Sequence, residues 1–302
     1  MAGIPGFCFI KAENITKGLS GDKKYYLETE KGDCFLARIT ESKKYKQKKA
    51  LYKLLQKISK NDIPMPMPVN FGYCKNKNEI YTLLSWVDGK DAEKVLPGLS
   101  RGEQYCLGVR AGRILRKLHN NNEIKCSEDW QTRYFSVIGP RLLAFKNENI
   151  SFDGSVQILE YLETNKRFLA NRPQTFHHGD FHLGNMVIGN KWQLSVIDWD
   201  TADFENIGDP WYEFNRTSIQ VPAFATGQID GYFENSIPDV FWKLFTFYIA
   251  GSAITSIVWA KYSAPECMAG IMKLNMDIVR WHDGMKNPVP IWYDKSLKYY
   301  NA

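Results

Sequence analysis

Three of the five histidines in this 302-residue chain fall in one stretch, TFHHGDFHLGN at 175–185. His178, Asp180 and His182 alternate, so in an extended segment their side chains point the same way. Histidine and aspartate at such spacing are ligands that a transition metal takes. The helical zinc motif also sets its histidines four apart, as His178 and His182 are, but it needs a glutamate beside the first. Position 179 is glycine, a poor helix residue. A zinc reading therefore rests on spacing alone.

A second reading uses more of the chain. Asn185 follows Asp180 by five residues. That is the interval of the protein-kinase catalytic loop, where the aspartate accepts the substrate proton and the asparagine binds magnesium. The next segment, MVIGNKWQLSVID at 186–198, is two short apolar runs around Gly189-Asn190, a hairpin signal. Its return strand overshoots by about three residues, or ~10 Å, which carries Asp198 past the ladder. Asn185 and Asp198 together offer oxygen ligands to a hard cation, and magnesium held by one or two side chains plus nucleotide phosphates is the usual arrangement. The pattern H-x-D-x-x-x-x-N, hairpin, acid is specific because its parts must coincide. It points to phosphoryl transfer with Asp180 as the catalytic residue.

The elements that must position these residues fall into two groups. The first ~90 residues read as a small strand-rich unit with one main helix. KKYYLETEKGDCFLARIT holds two β-rich runs around Lys31-Gly32-Asp33, a helix is expected at about 43–60, and three prolines in NDIPMPMPVNFGY end it. NEIYTLLSWVDG reads as a further strand. The remainder is mostly helical, with periodic runs at 100–119 and 153–171 and loops expected near 225–238 and 263–266. The lobe boundary is expected at 86–90, giving a nucleotide-binding lobe at 1–87 and a helical lobe at 88–302.

Composition narrows the class. Apolar residues make up 44% and charged residues 24%, the balance of a globular protein with a sizeable core. From 43 to 60 there are eight lysines and no acid. They read as the solvated face of a helix, since a nucleic-acid groove would interleave aromatics and arginines. No nucleic-acid partner is expected. Cys8, Cys34, Cys74, Cys106, Cys126 and Cys267 form no C-x-x-C pair, and the N-terminus lacks a signal-peptide pattern. Reduced thiols in the cytoplasm are the expectation. The uncharged run at 244–260 falls short of the ~20 apolar residues of a spanning helix and reads as a buried helix, so no membrane partner is expected.

HHGDFHLGN, VIDWDTADF and IGDPWYEFNR resemble the motifs of the aminoglycoside phosphotransferase and choline kinase-like family. So does ILRKLH at 114–119. GLSGDKKYY is similar to that family's nucleotide-covering loop and YTLLSWVDG to its purine-contacting strand and hinge. The resemblance runs from about residue 14 to KNPVPIWY. It implies an α+β, two-lobed protein-kinase-like fold, with a small β-rich N-lobe and a larger, mostly helical C-lobe. It also implies ATP or GTP as co-substrate, with Mg2+. Asp180 would accept or orient the acceptor hydroxyl, and Asn185 and Asp198 would hold the metal. Ser20, Gly21, Asp22 and Lys23 would lie over the phosphates. Ser85, Trp86 and Val87 would bond the base through their backbone. His178 would hold the loop, Asp200 and Asp209 would support the site, and His182 receives no role.

Two departures from that family are visible. Arg38, in CFLARI, stands where a third-strand lysine is expected, and Arg and Lys are not equivalent grips on phosphate. No glutamate occurs between Ser42 and Asn78 to pair with it, and Leu51 or a neighbour is expected in its place. This leaves an altered clamp or a weak kinase open. For the acceptor, residues 198–216 carry six acids, Asp198, Asp200, Asp203, Glu205, Asp209 and Glu213, against Arg216 alone. Local acidity favours a small, hydroxylated, cationic acceptor. Asp203, Glu205 and Glu213 are its candidate contacts, and Trp211, Tyr212, Phe224 and Trp292 its candidate flat walls. An aminoglycoside-like antibiotic leads, ahead of a metabolic amino alcohol or sugar (choline-like or a thiosugar). A catalytically silent binding module is the remaining alternative.

Overall fold

The computed structural model describes residues 3–16, 21–120, 126–201, 207–217, 219–234 and 236–300. Ser20, Asp203 and Glu205, all expected in the site, lie outside the described residues. In chain order the strands and α-helices are β1 (Lys11–Ile15), β2 (Lys23–Glu28), β3 (Cys34–Glu41), α1 (Tyr45–Ile58), β4 (Pro68–Tyr73), β5 (Glu79–Ser85), β6 (Lys90–Asp91), α2 (Ala92–Val95), α3 (Arg101–Asn120), α4 (Trp130–Asn147), α5 (Ser155–Asn165), β7 (Thr175–Phe176), β8 (Met186–Ile188), β9 (Leu194–Val196), β10 (Ile207–Gly208), α6 (Pro222–Phe233), α7 (Asp239–Ser263) and α8 (Met268–Trp281).

The chain divides into two compact units, Met1–Val95 with Leu183–Asp203, and Leu96–His182 with Phe204–Ala302. The expected boundary at 86–90 left the 186–198 hairpin with the helical lobe. Here the hairpin belongs to the first unit, because β6 pairs with β8 and Val196 N–H donates to Pro64 O at 2.8 Å.

In the first unit a five-stranded antiparallel sheet runs β1-β2-β3-β5-β4. The β2–β3 turn is closed by Thr29 N–H on Asp33 O, with Gly32 at φ +81, a backbone state glycine enters without penalty. Leu27, Ala37, Ile39, Tyr81 and Leu83 form the buried face, as strand alternation requires. α1 buries Leu55 and Ile58 and runs into a 3-10 turn at Ser59–Asn61, ahead of the prolines that begin at Pro64. A smaller sheet, β6-β8-β9, carries the hairpin. Gly89, at φ +147, precedes it; a Cβ there would stand 2.4 Å from Ile188 O.

The second unit is helical. α7 is long and apolar enough to cross a membrane by length and composition. It is nonetheless a core helix: Phe241, Leu244, Phe245, Phe247 and Tyr248 are all buried. α6 corrects the loop expected near 225–238. Its glycines are contact points and not breakers. Gly227 and Gly231 of α6 face Tyr105 and Val109 of α3, while Gly108 and Gly112 of α3 face Phe224 and Gln228. A Cβ at any of the four would come within 2.1–2.2 Å of a backbone oxygen on the other helix. The two helices thus touch backbone to backbone, and the burial this allows offsets the cost of helical glycine.

Gly112→Ala should therefore cost about 3 kcal/mol by overpacking, read as a lowered urea midpoint. An unchanged midpoint would show that the helices separate at no cost.

Candidate active site

The catalytic loop belongs to the second unit as far as His182. It leaves β7, whose partner β10 sets Ile207 opposite Phe176. Gly179 sits at φ +84, and Asp180 follows with its side chain one-third exposed. The loop is held by Glu213, a buried residue in the 3-10 helix Pro210–Arg216. Glu213 Oε2 accepts the His178 N–H at 3.0 Å and Oε1 accepts the Gly179 N–H at 2.7 Å. His119, at the end of α3, lies 3.2 Å from Oε2 through Nε2. Burial pushes the Glu213 carboxyl up, but the His119 hydrogen bond and the nearby imidazoles outweigh it and bring it down to about 2. Glu213 was expected among acceptor contacts. The correction follows from its burial, since both its oxygens are committed to the loop.

Asp209, expected to support the site, is bonded on all sides. It is fully buried. Arg172 grips it with Nε at 2.6 Å and Nη2 at 2.9 Å, and Tyr248 and the Trp211 N–H add two more bonds. Its carbonyl accepts from His177 Nε2 at 2.9 Å. Trp211, expected as an acceptor wall, instead lies under the Arg172 guanidinium at 3.9 Å, and Phe224 is fully buried. His178 is also fully buried, with Nδ1 3.3 Å from the Asp180 N–H, which suits a loop-holding role. His182, unassigned from spacing, places Nε2 3.2 Å from Asp180 Oδ2. A cavity of about 430 Å³ opens beside Gly179, lined among others by Trp130, Arg133, Tyr134, Tyr212 and Arg216.

The residues expected on the nucleotide side lie in the first unit. Ile197 N–H donates to Asn185 O at 2.9 Å, which joins the two expected metal ligands along the backbone. Asp198 takes φ +61, a left-handed state that aspartate tolerates better than most residues. Arg38 is in place on β3, directly opposite Lys24 and Thr82. Its side chain is 6% exposed and bonds three carboxylates: Asp22 at 3.3 Å, Asp198 at 3.1 Å, and Asp200. Burial pushes Asp22 up, yet Lys48 and Arg38 hold it below the usual carboxylate range.

Three expectations on this side change. Lys23 points away from Arg38 and pairs with Glu79 at 2.9 Å. Lys24, one residue on and so on the other face, comes within 4.0 Å of Asp198. Along α1 the residue that reaches the Arg38 acids is Lys48 and not Leu51. At the hinge, Ser85 N–H already donates to Met67 O and Trp86 N–H to Cys34 O. Of the three hinge N–H groups, that leaves the one of Val87 for a base.

Missed from sequence were Lys24, Lys48, His119, and the cavity arginines. Strand alternation in DKKYYLE carried the signal for Lys24. ILRKLH carried that for His119, but its contact with Glu213 spans 94 residues.

An antiparallel five-stranded unit and a helical unit with an HGD loop define a kinase-like phosphotransferase. A family model described as the phosphotransferase enzyme family (APH) matches residues 11–240. The chain belongs to that family, whose members transfer phosphate to hydroxyl groups. Solved structures with a similar fold include a thermostable mutant of aminoglycoside phosphotransferase APH(4)-Ia, 15% identical with a TM-score of 0.62 over 90% of this chain and 94% of that one. The GDP complex of wild-type aminoglycoside 2'-phosphotransferase-IIIa is 12% identical, TM-score 0.61, over 94% and 95%. Amicoumacin kinase hAmiN with AMP-PNP and Ca2+ is 12% identical, TM-score 0.58, over 95% and 92%. No curated protein sequence matches the chain significantly.

Glu213 yields a pH prediction. Its folded value, about 2, lies below the ordinary 4.5. The stability it contributes is therefore complete above pH ~5 and is lost as pH falls toward ~2. Glu213→Gln should lower unfolding free energy by about 3 kcal/mol at pH 7, with the gap to wild type narrowing in acid. A gap that stays constant with pH in urea titrations would contradict the assignment.

Proposed function

We propose that the chain transfers the γ-phosphate of ATP or GTP, carried with magnesium, to a hydroxyl of a small molecule in the cytoplasm. The observation that carries this reading is the loop whose backbone Glu213 holds while Asp180 stays partly exposed, five residues before a buried Asn185. Asp180 accepts or orients the hydroxyl proton. The donor set fits magnesium: an amide oxygen of Asn185 and a carboxylate of Asp198, both hard, joined through the Ile197–Asn185 backbone bond. When bound there, the ion neutralises charge on the phosphates. Val87 and the Ser85 and Trp86 carbonyls meet the base, and Gly21 and Asp22 lie toward the phosphates.

The names of the structural neighbours, aminoglycoside phosphotransferase and amicoumacin kinase, put an aminoglycoside-like antibiotic first among acceptors, with a role in resistance to it. The acceptor sits in the cavity beside Gly179, against Tyr212 and Tyr134. A second reading comes from the charge of that cavity. Its described lining holds Arg133 and Arg216, whereas Glu213 is committed to the loop and Glu128 is the remaining acid. Two guanidiniums favour a neutral or anionic hydroxylated metabolite.

Nucleotide consumption with magnesium should be measured against cationic, neutral and anionic hydroxylated acceptors. The leading reading expects turnover with an aminoglycoside-like compound and a loss of about 10²–10⁴-fold in Asp180→Asn. Turnover confined to a neutral or anionic sugar would replace it with the second reading. Full activity in Asp180→Asn would remove both.

A further inference from the structure

Of the eight lysines between 43 and 60, seven are exposed and one, Lys48, is not. It lies three and seven residues before Leu51 and Leu55, so it shares the inward stripe of α1. Its ammonium is 2.6 Å from Asp22 Oδ2 and 3.4 Å from Asp200 Oδ2. Both of those oxygens also bond Arg38. Around the Arg38 guanidinium there are thus three carboxylates, Asp22, Asp198 and Asp200. One cation facing three carboxylates, of which Asp22 is buried and Asp198 and Asp200 are partly exposed, would leave a strongly negative pocket that repels phosphate and raises the cost of desolvating each carboxylate. Lys48 supplies a second positive charge from the helix, and Lys24 approaches Asp198 from the strand.

In a regular kinase clamp the strand gives the cation and the helix gives the acid. Here the helix gives a cation, and the acid comes from Asp22 at the head of β2. We propose that Lys48 is a positioning residue for the nucleotide phosphates. It fixes Asp22 and Asp200, these orient Arg38, and Arg38 sets the place of Asp198, which it bonds at 3.1 Å. The apparent loss of the helix glutamate is then a clamp of changed polarity and not a dead one. This inference rests on the nucleotide-binding reading above.

The test is calorimetric binding of magnesium with ADP, GDP and AMP-PNP to the full chain, beside the matching nucleosides. Lys48→Ala should weaken the phosphate-bearing ligands by about tenfold or more and leave nucleoside affinity unchanged. Lys48→Arg should restore most of the affinity, and Lys53→Ala, on the exposed face, should match wild type. Equal binding by Lys48→Ala and wild type would overturn the proposal. So would a loss shared equally by nucleosides and nucleotides, which marks a merely structural role. Wild type that binds no nucleotide would instead overturn the kinase reading, and this inference with it.

Discussion

The carboxylate of Glu213 is the constraint on which the catalytic loop depends. A peptide N–H buried without a partner is costly, and the turn at His178-Gly179 presents two of them in succession. Glu213 accepts both, one on each oxygen, and His119 stands behind it. The loop is therefore fixed by a charged group from another part of the chain, while the Asp180 side chain stays clear of that anchor. Asp209 does the same work one turn earlier, binding Arg172, Tyr248 and its own helix start. Fixed geometry is what phosphoryl transfer asks of a protein, since positioning and charge neutralisation supply nearly all of the catalysis.

The residues proposed for the nucleotide side solve a different problem. The proposed metal ligand Asp198 is acidic, yet with a nucleotide bound it would share space with a polyanion. The structure interleaves Asp22, Asp198 and Asp200 with Arg38, Lys48 and Lys24. Buried charges are tolerated when each has a partner, and this arrangement gives every acid at least one. An arginine suits the centre because one planar guanidinium bonds all three carboxylates, which a lysine ammonium on the same strand would do less rigidly.

Much of this was legible in the sequence. Hairpin chemistry placed β2, β3, β8 and β9, apolar periodicity placed α1 and α3, and the HGD loop with Asn185 and Asp198 named the chemistry. What stayed hidden shares one cause. Glu213 and Lys48 look like any other acid or lysine in a polar run, and only their long-range partners decide their function. The acidity of 198–216 read as an acceptor surface with Glu213 among its contacts for this reason, although Glu213 is buried. Likewise the stretch near 225–238 read as a loop because the helix that Gly227 and Gly231 touch, α3, is more than a hundred residues away.

The account stands on the fate of one phosphoryl group. Phosphorus NMR of the wild-type chain with magnesium, nucleoside triphosphate and a hydroxylated acceptor follows it directly. The account predicts a new phosphomonoester resonance growing in step with nucleoside diphosphate. Inorganic phosphate as the sole product, or a triphosphate that persists with every acceptor tried, would contradict it.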